Sequence, residues 1–162
     1  YSSAASDVYK RQGAIFGTMA AAFIGDWLGR RVTYAMLCIL SLITTVSFYQ
    51  LNTTYSVQFL VMVFVATTCT ASFYGWLPLY LPELFPTRMR ATGQGFSFNF
   101  GRIIAAIGAL QGGLLAKAAP VTIFGHTTQG LPLSCSAIPI IYLLGVVLIC
   151  FAPETKGQPL PD

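Results

Sequence analysis

Three short charged clusters hold the side chains of this sequence whose types and spacing suit chemistry. The first is Gly25-Asp26-Trp27-Leu28-Gly29-Arg30-Arg31. The second is Pro82-Glu83-Leu84-Phe85-Pro86-Thr87-Arg88-Met89-Arg90-Ala91-Thr92-Gly93, and the third is Pro153-Glu154-Thr155-Lys156-Gly157. Each sets an acid beside bases at the end of an apolar run. An ion pair there can form and break without crossing hydrocarbon, and a carboxylate at an exposed helix N-terminus gains about 0.3–1 kcal/mol from the helix dipole. Such clusters suit either a gate or a basic anchor at the membrane surface. Bond-making chemistry has no support, because the apolar runs hold no Ser/His/Asp set, no metal-ligand cluster and no paired carboxylates. We therefore expect no enzyme, no metal and no cofactor. Cys38, Cys69, Cys135 and Cys150 are far apart and read as small hydrophobes.

The elements that must position these clusters are membrane spans. The chain has 162 residues, 55% of them hydrophobic and 9% charged, with a mean hydropathy of +0.68. Soluble domains carry about 25% charged residues. Disordered chains are poor in the aromatics that are frequent here. The net charge of +4 comes from bases scattered between apolar runs, so no nucleic-acid partner is expected. A span needs about 20 apolar residues, and four runs qualify: 32–49, 56–80, 96–116 and 134–152. A shorter run, 13–24, reads as part of a fifth span. The polar segment 1–12 shares no pattern with the apolar runs after it. It resembles a translated cloning adaptor, which would make the chain an N-terminally truncated piece of a longer protein. The expected fold is therefore an all-α polytopic bundle over 13–157, with a short tail over 158–162.

Basic residues orient the bundle. Arg30, Arg31, Arg88, Arg90 and Lys156 fall in one set of connectors and only Lys117 in the alternate set. The Arg-bearing loops and the C-terminus are therefore expected in the cytoplasm of a multi-pass cell-membrane protein. Small residues recur every fourth position in Gly13, Gly17, Ala21 and Gly25, and again in Gly101, Ala105, Ala109 and Gly113. Such stripes let helix backbones approach closely, either as static packing or as faces that slide.

Polar residues within the spans are candidates for lining a cavity. Thr67, Thr70 and Tyr74 lie within about 60° of one another at 100° per residue, with Trp76 on the opposite face. The competing reading is that the threonine hydroxyls bond their own helix backbone. Gly75 and Pro78 are expected to kink or loosen that span. Asn99 and Arg102 lie about 60° apart and Gln111 about 180° from Arg102, so the three cannot share one wall of a straight helix. Arg102 is near enough to the inner surface to snorkel. We assign it to the charge network, with binding of an anionic substrate as the alternative. Gln111 sits deeper and is a cavity candidate.

The spacing of the three clusters resembles the major facilitator superfamily of secondary transporters, specifically its C-terminal half. Asp26, Gly29, Arg30 and Arg31 match that family's Asp-x-x-Gly-Arg-Arg loop. PELFPTRMRATG is similar to the loop after the tenth helix, and PETKG to the close of the last helix of sugar porters. The Trp that sugar porters carry five positions before the Glu falls on Pro78. The run PELFPTRMRATGQGFSFNFGR looks closer to bacterial porters of aromatic acids and sialic acid. The resemblance implies that Asp26, Arg30, Arg31, Glu83, Arg88, Arg90 and Glu154 form a cytoplasmic gate, and that substrate binds near the midplane against an N-terminal half. It further implies alternating-access transport of a small polar solute, such as an organic anion or a sugar-like metabolite, with a proton or another cation as coupling partner. No Asp or Glu lies inside a complete span, so a coupling carboxylate would have to come from outside them. The alternative is a non-transporting membrane sensor or interaction protein on the same scaffold.

Overall fold

The computed structural model describes residues 2–52, 55–115, 121–123, 126–128, 139 and 141–158, with side chains over 4–52, 55–110, 139 and 141–158. Among the described residues five helices follow one another: α1 Ser2–Leu28, α2 Arg30–Leu51, α3 Val57–Leu84, α4 Arg90–Leu115 and α5 Ile141–Phe151. Between α4 and α5 a two-stranded antiparallel ribbon pairs β1 (Val121–Ile123) with β2 (His126–Thr128), with Val121 opposite Thr128.

The element boundaries differ from the apolar runs in informative ways. α1 is one helix over 2–28 rather than a stub over 13–24. Hydropathy marks the apolar part of a helix, whereas its backbone bonds continue through polar residues. α3 runs to Leu84 through Pro78 and Pro82, and Pro86 falls just past its end. Its first turn is capped by the Ser56 hydroxyl, which accepts from the Phe59 N–H at 3.3 Å. Among the described residues, α2 and α3 are the helices long and apolar enough to cross a membrane by length and composition. α4 is 26 residues long but is diluted by Gly, Asn, Gln and Arg. Of the expected run 134–152, residues 139 and 141–152 fall within the described residues, with α5 over Ile141–Phe151.

α3 is the centre of the bundle. It packs along α1 and against α2, and α2 in turn packs on α5. The α1–α3 seam is built on the first small-residue stripe. A Cβ on Gly17 would come within 2.1 Å of the Thr68 carbonyl, and one on Gly75 within 2.1 Å of the Thr18 carbonyl. Ser72 donates its hydroxyl across the seam to the Gly17 carbonyl at 3.0 Å. This seam is closely packed. Ala21, Leu37, Trp76, Tyr80 and Ile149 form the core where α1, α2, α3 and α5 converge. The second stripe behaves differently, since a Cβ on Gly101 would meet nothing within 4 Å. Elsewhere the helices turn large apolar side chains outward, among them Phe23, Leu110 and Phe151, as expected of helices bathed in lipid.

Candidate functional site: a charge cluster and an aromatic cavity

All three charged motifs arrive at one end of the bundle. The α1–α2 turn, the C-terminal end of α3 and the segment after α5 meet there. The α1–α2 connection is a single residue, Gly29, with φ 98°. That region is open to glycine and costly for other residues. A Cβ there would also lie 3.2 Å from a Glu154 carboxylate oxygen.

Arg30 is the hub. Its Nη2 and Nε donate to the two oxygens of Glu83 at 2.6 and 3.0 Å, while Nη1 donates to Asp26 at 2.7 Å and to the Gly25 carbonyl at 2.8 Å. The planar guanidinium thus holds one carboxylate bidentately and reaches a second, which an ammonium cannot do in that geometry. The two ion pairs are unequal. Arg30 and Glu83 are largely shielded from solvent, whereas the Asp26 side chain is 67% exposed. Water screens the Asp26 pair, so Glu83 is the stronger partner. Thr155 adds a hydroxyl bond to Glu83 from the third motif.

Glu154 and Arg31 interlock α2 with α5. The Glu154 carboxylate accepts from the Arg30 N–H at 2.9 Å and the Arg31 N–H at 3.1 Å, satisfying orphan donors that Gly29 has no side chain to cap. Burial pushes the Glu154 carboxyl up, and the backbone N–H groups of Arg30, Arg31 and Lys156 outweigh it, leaving it below its ordinary value. In return Arg31 donates to the carbonyls of Ile149 and Cys150 in the last turn of α5. Each helix end carries the charge that its neighbour's dipole favours. Lys156 reaches across to the Trp27 carbonyl at 2.6 Å.

The structure therefore brings Asp26, Gly29, Arg30, Arg31, Glu83 and Glu154 into one cluster. Arg90 lies at its edge, donating to the Pro82 carbonyl at 3.1 Å and the Thr87 hydroxyl at 3.3 Å. Arg88 is exposed in the turn before α4. Arg102 lies elsewhere, its guanidinium 5.5 Å from the centre of the Phe98 ring, on the wall of a cavity.

That cavity, of about 470 Å³, opens between α2, α3, α4 and α5, and Tyr34, Thr70, Phe73, Tyr74, Arg102 and Tyr142 are among its lining residues. Among the described lining residues Arg102 is the cation, set beside aromatic faces and hydroxyls. The polar stripe expected on α3 is divided. Thr70 and Tyr74 line this cavity, while Thr67 lines a smaller pocket between α1, α2 and α3 that Thr70 also reaches. The Thr70 hydroxyl bonds the Ala66 carbonyl of its own helix at 2.9 Å, so the backbone-bonded reading holds there too. Asn99 falls on another face of α4, donating to the Gly95 carbonyl at 2.8 Å beside Phe96 and Phe100. Gln111 lies on α4 with its side chain outside the described residues.

Sequence reasoning missed Tyr34, Phe73 and Tyr142 as cavity lining and Trp76 and Tyr80 as the layer beneath. Phe73, Trp76, Tyr80 and Glu83 share one face of α3 at helical spacing, a signal present in the sequence. Nothing in the sequence brings Tyr34 and Tyr142 to that face.

The fold is that of the major facilitator transporters. The chain matches the xylose transporter of E. coli, in a partially occluded inward-open conformation, with a TM-score of 0.67 over 95% of this chain and 41% of that one, at 18% identity. By sequence it is a relative of transporters and not of enzymes. It is 33% identical to solute carrier family 22 member 6-B of Xenopus laevis over 91% of this chain, and 32% identical to the cis,cis-muconate transport protein of Acinetobacter baylyi over 80%. The chain thus has the major facilitator fold, and its relatives are multi-pass membrane transporters. The chain spans 26% and 31% of the lengths of those two relatives. No protein-family model matches it.

Proposed function

We propose that residues 13–157 are the C-terminal half of a secondary transporter that moves small organic anions by alternating access, with the C-terminus in the cytoplasm. The observation that carries this reading is the convergence of three distant motifs on Arg30. Asp26, Glu83 and Glu154 reach that residue from the α1–α2 turn, the end of α3 and the tail. A cluster that ties helix ends together at one face closes that face, and its ion pairs can be exchanged for water at modest cost when the face opens. Above it the aromatic cavity supplies Arg102 as the cation for a solute carboxylate, with the facing half of the transporter as its other wall. Lipid, the solute and that other half are the proposed partners. A proton or another cation is the proposed coupling ion, its carboxylate lying outside this segment.

The test is uptake of radiolabelled cis,cis-muconate into vesicles carrying the intact transporter. We expect saturable accumulation that Arg102→Ala abolishes while surface expression stays normal. Saturable binding without accumulation would instead identify a sensor on the same scaffold. Uptake unaffected by Arg102→Ala would remove Arg102 from the site.

A further inference from the structure

The cavity and the charge cluster are joined by a continuous column of aromatic rings. Tyr142 stacks on Phe73 with centroids 5.6 Å apart and planes 3° from parallel. Phe73 meets Tyr34 edge-on at 5.5 Å, Tyr34 meets Trp76 at 4.7 Å, and Trp76 meets Tyr80 at 4.7 Å. The upper three rings line the cavity. Trp76 and Tyr80 are 2% and 5% exposed, and both end in hydrogen bonds at the charged end. The Trp76 indole N–H donates to the Arg30 carbonyl at 3.0 Å, and the Tyr80 hydroxyl donates to the Pro153 carbonyl at 2.9 Å. The column thus starts on rings that a solute would touch and ends on the backbone of the residue that holds Asp26 and Glu83.

We propose that Trp76 is a positioning residue that ties the cavity wall to Arg30, so that solute in the cavity and the ion pairs at the bundle end act on the same side chain. The physical reason is confinement. A close-packed ring with almost no exposed surface has no void to move into. A shift of Tyr34 against it is passed to its other contacts, and the directed one is the N–H bond to Arg30. Coupling carried by packed side chains requires an element that both sites bias. Trp76 directly contacts Tyr34 on the cavity side and the Arg30 carbonyl at the charged end. The inference rests on the proposed transport function for its ligand but not for its geometry, and the two are tested separately.

In the intact transporter, Trp76 emission is isolated as the difference between the parent and Trp76→Phe. Breaking the bidentate pair with Glu83→Gln is expected to shift that emission with no ligand present. An unshifted signal overturns the coupling, whatever the protein transports. In vesicles, Trp76→Phe keeps a ring in the core but removes the N–H. We expect it to bind cis,cis-muconate within twofold of the parent by equilibrium dialysis and to lower maximal uptake at least fivefold. Unchanged uptake, or binding and uptake falling together with the thermal midpoint, overturns the proposal and leaves Trp76 a packing residue. If dialysis shows no muconate bound to the parent, the organic-anion reading fails, and the Glu83→Gln emission measurement alone decides the coupling.

Discussion

Gly29 and Glu154 show how much one backbone position carries. Gly29 adopts φ 98° and leaves room for a carboxylate oxygen that would lie 3.2 Å from a Cβ. Gly29→Ala is expected to cost about 1 kcal/mol or more through strain alone, read as a lower thermal midpoint in detergent. Glu154 gives a pH dependence of definite sign. Its carboxyl lies below the ordinary value of 4.5. Its contribution to stability is therefore complete above that value and is lost as the pH falls through the depressed one. The midpoint difference between the parent and Glu154→Gln should be constant near neutrality and close as the medium is acidified below pH 4.5. A difference that widens in acid would show that Glu154 is not held as the ionised cap of α2. The Asp-x-x-Gly-Arg-Arg and PETKG signatures made Gly29, Arg30 and Glu154 visible as members of one network. That Glu154 bonds backbone rather than a guanidinium depends on where α5 ends, which its sequence does not state.

Among the elements, α1 and α3 are joined through backbone and α4 is not. Gly17→Ala and Gly75→Ala would each drive a methyl into a carbonyl 2.1 Å away. Overpacking of that kind costs about 1–3 kcal/mol and forces the helices apart. Gly101→Ala and Gly108→Ala meet open space inside a helix, so their thermal midpoints should equal or slightly exceed the parent's. Equal losses at all four positions would mean that α4 is packed as tightly as α1. The four-residue spacing announced both stripes, and it cannot distinguish a stripe that is buried from one left open. The same limit applies along α3, where helical geometry separated Trp76 from Thr67, Thr70 and Tyr74. Which polar residue faced which neighbour depended on α2 and α4.

For the whole molecule, the charge cluster binds α1, α2, α3 and the tail at one end while the cavity opens above it. Loosening the cluster should change transport more than solute binding. Asp26→Asn removes the exposed half of the Arg30 network, and Arg90→Ala removes the donor to the Pro82 carbonyl at the end of α3. Both are expected to reduce cis,cis-muconate uptake by the intact transporter while its surface expression is retained. Parent-level uptake in both would separate the cluster from gating. Glu83→Gln should be the most disruptive of the three, since it removes the shielded partner charge of Arg30 and leaves only the exposed Asp26, and hydrogen bonds to charged groups contribute about 1.5–3 kcal/mol.

Composition and periodicity alone determined that this chain is a helical membrane bundle, because low charge and long apolar runs leave few soluble alternatives. The resemblance of its motifs to those of the major facilitator transporters implied that Asp26, Arg30, Glu83 and Glu154 form one network, and the structure brings them together. Only the tertiary structure decided that Arg102 stands over Phe98 at a cavity, apart from the cluster, that Thr70 and Tyr74 line that cavity while Thr67 does not, and that Tyr34 and Tyr142 complete an aromatic column. The reason is one of range. Periodicity reports the face of a single helix, whereas a cavity is made of faces from several helices whose mutual rotation is set by how closely their backbones meet.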